Sequence, residues 1–268
     1  MKCPHLGLMS KMETFKTDAI NLKTYPISEN DNIVVMFSKE LGLIKGVAKG
    51  VKRPKSKLGA RMQALVCNSL VLNHKKTLDT IKEASALNPF NKLRYDFDKL
   101  TMALYVVETV NTFCINENKD KEQNEIIYNL IYKTLENIQN STNEIETILS
   151  GVKFQLWFMK EIGFGIEFER CLKCSKKAEE TVLFSPQTGG ITCLDCGVEN
   201  VQYIKLHSKI KDFLLTLNNT PIDIKTRYDE LANFKVTNSC FNLLKKYIEI
   251  TSNKKSKAAK IIETSKVS

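Results

Sequence analysis

Residues 42–61 read GLIKGVAKGVKRPKSKLGAR, and the reading of this stretch decides the rest. Ile44, Val47 and Val51 among small residues predict a β-strand, while Gly46, Ala48 and Gly50 recur at alternate positions and leave one face of it nearly bare. A bare strand face fits strong bending or the close approach of another backbone. The segment then becomes a run of cations broken by Pro54. No acidic residue occurs between Glu40 and Asp79, whereas Lys45, Lys49, Lys52, Arg53, Lys55, Lys57, Arg61, Lys75 and Lys76 are all basic. This local excess nearly equals the net charge of +10 carried by the whole 268-residue chain. Charge so concentrated attracts and steers polyanions. By composition alone, a nucleic-acid site and a solvated, solubilising face fit equally.

Upstream, residues 17–27 (TDAINLKTYPI) alternate as a strand, residues 28–32 form a polar turn, and residues 33–37 are rich in β-branched side chains. Downstream, residues 56–62 suit a short helix, and residues 64–72 and 77–87 read as two further strands before Pro89. Five short, curved strands with a small helix after the third suggest a small closed barrel. The OB-fold is the best-known arrangement of this kind and often binds oligonucleotides.

Past Pro89 the apolar period changes. Leu100, Ala103, Leu104, Val107, Val110 and Cys114 predict an amphipathic helix over residues 92–115. Ile126, Ile127, Leu130, Ile131, Leu135 and Ile138 predict a second. A third starts near Asn143, with Glu146 placed as in a capping box. Its central FQLWFM, residues 154–159, is apolar nearly all round and marks the hub of a helical domain. Residues 207–217 and 240–250 are later helix candidates, and Lys254, Lys255 and Lys257 form a smaller basic cluster, read as frayed and solubilising if it is not packed.

Between these helices stands C-x2-C-x18-C-x2-C: Cys171, Cys174, Cys193 and Cys196. The intervening VLFSPQTGGIT predicts a hairpin turning at Gly189 and Gly190, which brings the two pairs together. Four thiolates in a tetrahedron suit one Zn²⁺, and an all-cysteine site keeps no open position for substrate. Catalytic zinc and a redox CxxC are the alternatives; a structural staple is the expectation. Cys3, Cys67, Cys114 and Cys240 show no pairing pattern, which fits a reducing compartment.

The catalytic inventory is thin. The sequence contains no GxxxxGK[ST], no HExxH and no GxSxG, and His5, His74 and His207 are isolated. The pairs Glu179–Glu180 and Asp229–Glu230 lie in polar segments without a third carboxylate for Mg²⁺. A non-enzymatic binding protein is expected. No apolar run reaches the roughly 18 residues of a membrane span, and the first residues lack a secretory pattern, so a cytoplasmic protein is expected. Met9 and Met12 offer later starts, and residues 1–14 are read as a leader outside the fold.

Several local strings, in order, resemble the RecO family of bacterial DNA repair proteins over residues 15–260. They are Thr17-Asp18-Ala19-Ile20, Glu29 and Asp31 ahead of Ile33, residues 37–42 (FSKELG) and, most specifically, residues 48–59 (AKGVKRPKSKLG). Tyr105, Glu108, Phe154-Gln155-Leu156, Gly163-Phe164 and Lys255-Ser256-Lys257 also match. The resemblance implies an α+β multi-domain chain. An amino-terminal five-stranded OB-fold β-barrel would occupy residues 15–88 and a helical domain residues 89–164. An inserted zinc ribbon would occupy residues 165–202, and the helices of residues 203–268 would complete the helical domain and end in a basic tail.

The resemblance further implies a recombination mediator that binds single- and double-stranded DNA and anneals complementary strands. Such a protein works with RecR on DNA coated by single-stranded DNA-binding protein (SSB), so that RecA can load in the nucleoid. Lys45, Lys49, Lys52, Arg53, Lys55, Lys57 and Arg61 would then neutralise phosphates, with Tyr25 and Phe37 as candidates for base stacking. An SSB tail, acidic and apolar, would fit a groove with Lys153 beside Phe154 and Trp157; the competing reading places these aromatics in the core. A zinc-ribbon RNA-binding or transcription-associated module is the alternative function, and an enzyme with an unrecognised site a third.

Overall fold

The computed structural model describes residues 14–75, 78–114, 120–178, 180–223 and 233–264. Its internal contacts divide the chain into two units. The first comprises Met1–Ser38 and Leu43–Pro89, the second Lys39–Gly42 and Phe90–Ser268.

In the first unit five strands, β1 (Thr14–Pro26), β2 (Asn32–Ser38), β3 (Gly42–Ala48), β4 (Cys67–Asn73) and β5 (Asp79–Asn88), close into a barrel in the order β1-β2-β3-β5-β4. Closure depends on β1, whose first half pairs with β4 and whose second half pairs with β2. The strand bends where the register slips between Asn21 and Lys23, a bulge of the kind that increases local twist. Strand β3 meets β5 in parallel through Gly46↔Asp79 and Val47↔Thr80.

The bare face of β3 is explained here, with a correction. What comes close is not backbone but the side chain of Ile81, whose Cγ1 would lie 2.8 Å from a Cβ added at Gly46. Ala19, Val34, Met36, Ala48, Leu70, Leu72 and Ile81 fill the interior, joined by Val51 and Met62 from the segment after β3. The short helix expected over residues 56–62 is a single 3-10 turn, Ala60–Met62.

The second unit is helical. Its helices are α1 (Phe97–Phe113), α2 (Lys121–Asn140), α3 (Glu144–Glu161), α4 (Ser208–Asn219), α5 (Phe234–Ser252) and α6 (Lys257–Thr264). Asp96, Asp120, Asn143 and Asn233 each accept a backbone N–H in the first turn of α1, α2, α3 and α5. Such caps satisfy donors that the helix itself cannot. At α3 the Glu146 carboxylate reaches back to the N–H of Thr142 at 2.7 Å, one residue before the cap, so the capping box is displaced by a position.

Helix α3 is the centre of this unit. Its Phe154 and Phe158 are fully buried and stacked, and Gln155 donates to the Tyr105 hydroxyl of α1 at 2.8 Å. Burial raises the Tyr105 phenol well above its ordinary pKa, so it stays neutral inside the bundle.

Between α3 and α4 the chain builds a lobe around a three-stranded sheet of β6 (Thr181–Ser185), β7 (Gly190–Thr192) and β8 (Ile204–His207), in the order β7-β6-β8. Gly189 turns the hairpin at φ +68°, and a Cβ there would lie 2.7 Å from the Tyr247 hydroxyl of α5. No described helix is long and apolar enough to cross a membrane.

The basic tail meets the condition that the sequence left open, because it packs. It is not frayed: after Asn253, in the left-handed region at φ 51°, the chain re-enters helix as α6. Glu108 of α1 accepts from the N–H groups of Lys257 at 3.0 Å and Ala258 at 2.9 Å, and from the Ser256 hydroxyl at 2.7 Å. A carboxylate there satisfies orphan donors and complements the helix dipole.

Candidate nucleic-acid interface and candidate metal centre

The segment after β3 is a fixed scaffold for cations. Gly50, at φ +62°, donates its N–H to the Asp31 carboxylate at 2.7 Å, and Lys52 donates its N–H to Asn30 O at 3.1 Å. Turns closed by Arg53 N–H to Gly50 O and Ser56 N–H to Arg53 O carry the chain past Pro54.

The far end is gripped by two buried carboxamides. Asn21 Nδ2 donates to Arg61 O and Gln63 O, both at 2.8 Å, and Asn68 Nδ2 donates to Arg61 O at 2.9 Å. The Thr24 hydroxyl takes Met62 O at 2.6 Å. Val51 and Met62 plug the loop into the barrel core. With its backbone held at both ends, the loop exposes Lys49, Lys52, Arg53, Lys55 and Lys57.

Of the remaining expected contacts, Lys45 is exposed on β3, and Arg61 is half-buried with its guanidinium donating to Lys57 O. None of these seven forms an ion pair with a described carboxylate. Lys75 lies outside this loop, and Lys76 lies outside the described residues. The two stacking candidates divide. Tyr25 is exposed, with the Lys23 ammonium 5.9 Å from its ring centroid, but Phe37 is 1% exposed, buried on the face of β2 opposite to Val34 and Met36, where no base can reach it. The sequence reading missed Asn21, Thr24, Asp31 and Asn68, the groups that hold the loop.

The four cysteines meet as the spacing predicts. Their Sγ atoms all lie within 4.8 Å of one another, and Cys174 and Cys193 are 3.8 Å apart. A tetrahedron with Zn–S bonds near 2.3 Å has S···S edges of about 3.8 Å, so the quartet has the dimensions of a zinc site. Two knuckles present the sulfurs. In the first, Cys171 N–H donates to Lys176 O and Ser175 N–H to Cys171 O, with Ser175 at φ 58°. In the second, Cys196 N–H donates to Cys193 O.

Burial would raise the Cys171 thiol, but N–H groups of Cys174, Cys193 and Lys173 outweigh it and hold the thiol down to about 6. Crowding by the Cys193 and Cys174 sulfurs pushes Cys196 up to about 12. Four thiols so placed can ionise together only around a cation. Cys67, Cys114 and Cys240 are buried and form no disulfide, and Cys3 lies outside the described residues.

The groove expected at Lys153 and Trp157 does not form. Lys153 is 3% exposed and spends its ammonium on Pro221 O at 2.9 Å, while Trp157 Nε1 donates to Thr220 O at 3.1 Å. Phe154 is wholly buried. These polar tips secure the end of α4, and burial lowers the Lys153 pKa, the mark of an ammonium withdrawn from water rather than one offered to a partner.

Nor do the histidines assemble a reaction centre: His74 faces Asp79 at 3.0 Å, and His207 accepts from the N–H of Lys209 at the start of α4. His5, Glu179 and the Asp229–Glu230 pair lie outside the described residues.

A barrel bearing a held cationic loop, followed by a helical unit with a four-thiol lobe, defines the class of α+β scaffold to which the chain belongs. Family models for the Recombination protein O N terminal and C terminal regions match residues 12–108 and 94–250. The chain belongs to the RecO family of DNA repair proteins. Among its relatives, DNA repair protein RecO of Dehalococcoides mccartyi strain 195 is 31% identical over 189 residues, covering 70% of this chain and 72% of that protein. RecO of Clostridium novyi is 31% identical over 185 residues (69% and 70%). RecO of Desulforamulus reducens is 28% identical over 254 residues, 94% and 95% of the two chains.

Proposed function

We propose that this protein is a recombination mediator whose barrel is an OB-fold and whose loop of residues 49–61 is the principal DNA contact. The observation that carries the reading is the loop itself: cations displayed on a backbone tied at both ends. The strand order β1-β2-β3-β5-β4 and the parallel β3–β5 pair support the OB-fold, and family membership supports DNA as the polyanion.

Lys45, Lys49, Lys52, Arg53, Lys55, Lys57 and Arg61 neutralise phosphates of single- and double-stranded DNA, and released counterions supply most of the affinity. A fixed loop loses little entropy on binding, which favours affinity per contact. Two strands held on one cationic surface repel each other less, and annealing follows. In the cell the protein acts in the cytoplasm with RecR on SSB-coated strands, and RecA loads afterwards. One Zn²⁺ held by Cys171, Cys174, Cys193 and Cys196 staples the lobe and takes no part in chemistry.

The test has two arms. Affinity for single-stranded DNA is measured over a salt series for the wild type and for R53A/K55A/K57A, followed by annealing of complementary strands coated with SSB, without ATP. The triple variant should bind more weakly on every sequence, its salt slope reduced by about three. Wild-type affinity in the variant at low salt removes the loop from the site. Failure of the wild type to anneal coated strands, with preference for RNA, turns the reading toward an RNA-binding module.

A further inference from the structure

The first metal knuckle carries a second cluster of cations that the metal does not use. Arg170, Lys173, Lys176 and Lys177 fall within eight residues, and all four are exposed. Arg170 and Lys177 face each other across an antiparallel bridge, secured by Ala178 N–H to Glu169 O at 2.8 Å and Cys171 N–H to Lys176 O at 2.9 Å. Like charges directly opposite on paired strands destabilise the pairing. Among the described residues neither side chain has an ion-pair partner; Arg170 Nη1 reaches only Ser175 O, at 3.2 Å.

The pair also lines an open cleft of about 480 Å³ whose other walls are Phe168, Glu169, Lys211, Asp212 and Leu215. That volume falls in the range of ligand sites. Lys211 is 8% exposed and lies 3.3 Å from Asp212, which neutralises that carboxylate within the cleft. Glu169 is then opposed by two cations, and the cleft keeps an excess of positive charge.

We propose that this cleft is a second phosphate-binding site, taking the phosphodiester backbone of a nucleic-acid strand on Arg170 and Lys177 with Lys173 and Lys176 outside it. A planar guanidinium beside an ammonium suits a phosphate's two free oxygens. The metal's part is indirect: it fixes the turn that forces the two cations together. The proposal rests on the DNA-binding reading above and adds to it a site on the other unit of the chain.

The experiment uses the full zinc-loaded chain and a fluorescent thymidine oligonucleotide of about 30 nucleotides, with anisotropy read over a salt series. It compares the wild type, R170Q/K177Q, the loop variant R53A/K55A/K57A, and the two combined. R170Q/K177Q should lose about tenfold in affinity at low salt and about two units of salt slope. Its melting temperature should stay level or rise, because a like-charge contact is relieved. The combined variant should show both losses. A purely solvating role predicts no change in affinity, and wild-type affinity and slope in R170Q/K177Q overturn the proposal while leaving the loop reading intact. If the loop variant is also unchanged, both readings fall. Unaltered DNA binding together with lost binding of a poly-glutamate probe overturns the proposal in favour of an acidic peptide site. A lowered zinc content or melting temperature is met by R170K/K177R, which must restore affinity; if it does not, the proposal falls.

Discussion

Asn21 and Asn68 show what a buried polar residue contributes to a surface it never touches. Both are fully buried, and both aim Nδ2 at the carbonyl of Arg61, where the cationic loop rejoins the barrel. Replacing Asn21 by alanine removes two hydrogen bonds and leaves Arg61 O and Gln63 O with fewer donors. A cost of about 2–3 kcal/mol is expected in chemical denaturation. N21A should also weaken DNA binding while leaving the salt slope unchanged, since no cation is lost. A slope that falls as it does in R53A/K55A/K57A would show that Asn21 does not act by holding the loop. Nothing in the sequence exposes this role, because Asn21 sits among Ala19, Ile20 and Leu22 as one polar residue in an alternating strand. Phe37 misleads for a related reason: five neighbours in β2 are buried with it, so both faces of the strand are covered, and a short apolar run reads alike whether one face or two is buried.

At the scale of elements, the strands and the first three helices were legible because each has a strong local period and a local cap. The start of helix α3 could be placed near Asn143 from the residues there, although its end falls at Glu161, two residues short of Gly163. The four-cysteine lobe was legible from spacing, since two short loops joined by a hairpin leave the sulfurs few other arrangements. Cys193→Ala should therefore lower stability far more than it lowers DNA affinity at the loop. Losing one ligand forfeits much of a structural zinc's binding free energy, about 10–16 kcal/mol in small zinc domains. Differential scanning calorimetry beside anisotropy checks this, and a fully stable, zinc-free C193A would refute the stapling role. Helix α6 was not legible, because its cap lies on another helix. Glu108→Ala should cost about 1–2 kcal/mol and expose the tail to proteases. Equal proteolysis of E108A and wild type would show that the carboxylate does not hold α6.

For the molecule as a whole, charge placement matters more than charge total. Raising salt from about 50 to 200 mM should reduce DNA affinity by about 10³-fold or more if the seven expected contacts, six on the loop and Lys45 on β3, act together. A titration across that range decides it, and a shallow response would mean that few of them touch phosphate. The division into a barrel and a helical unit could be read from the change of apolar period at Pro89, whereas the failure of the Lys153–Trp157 groove could not be foreseen. An aromatic stripe reads alike whether it faces a groove or a neighbouring helix, and here α4 fills the space. The grip of Glu108 on α6 joins positions 148 to 150 residues apart. During synthesis, α1 emerges from the ribosome long before its last partner exists. This edge of the bundle stays open until residues 256–258 have left the ribosome, and a chain cut short before them leaves it open.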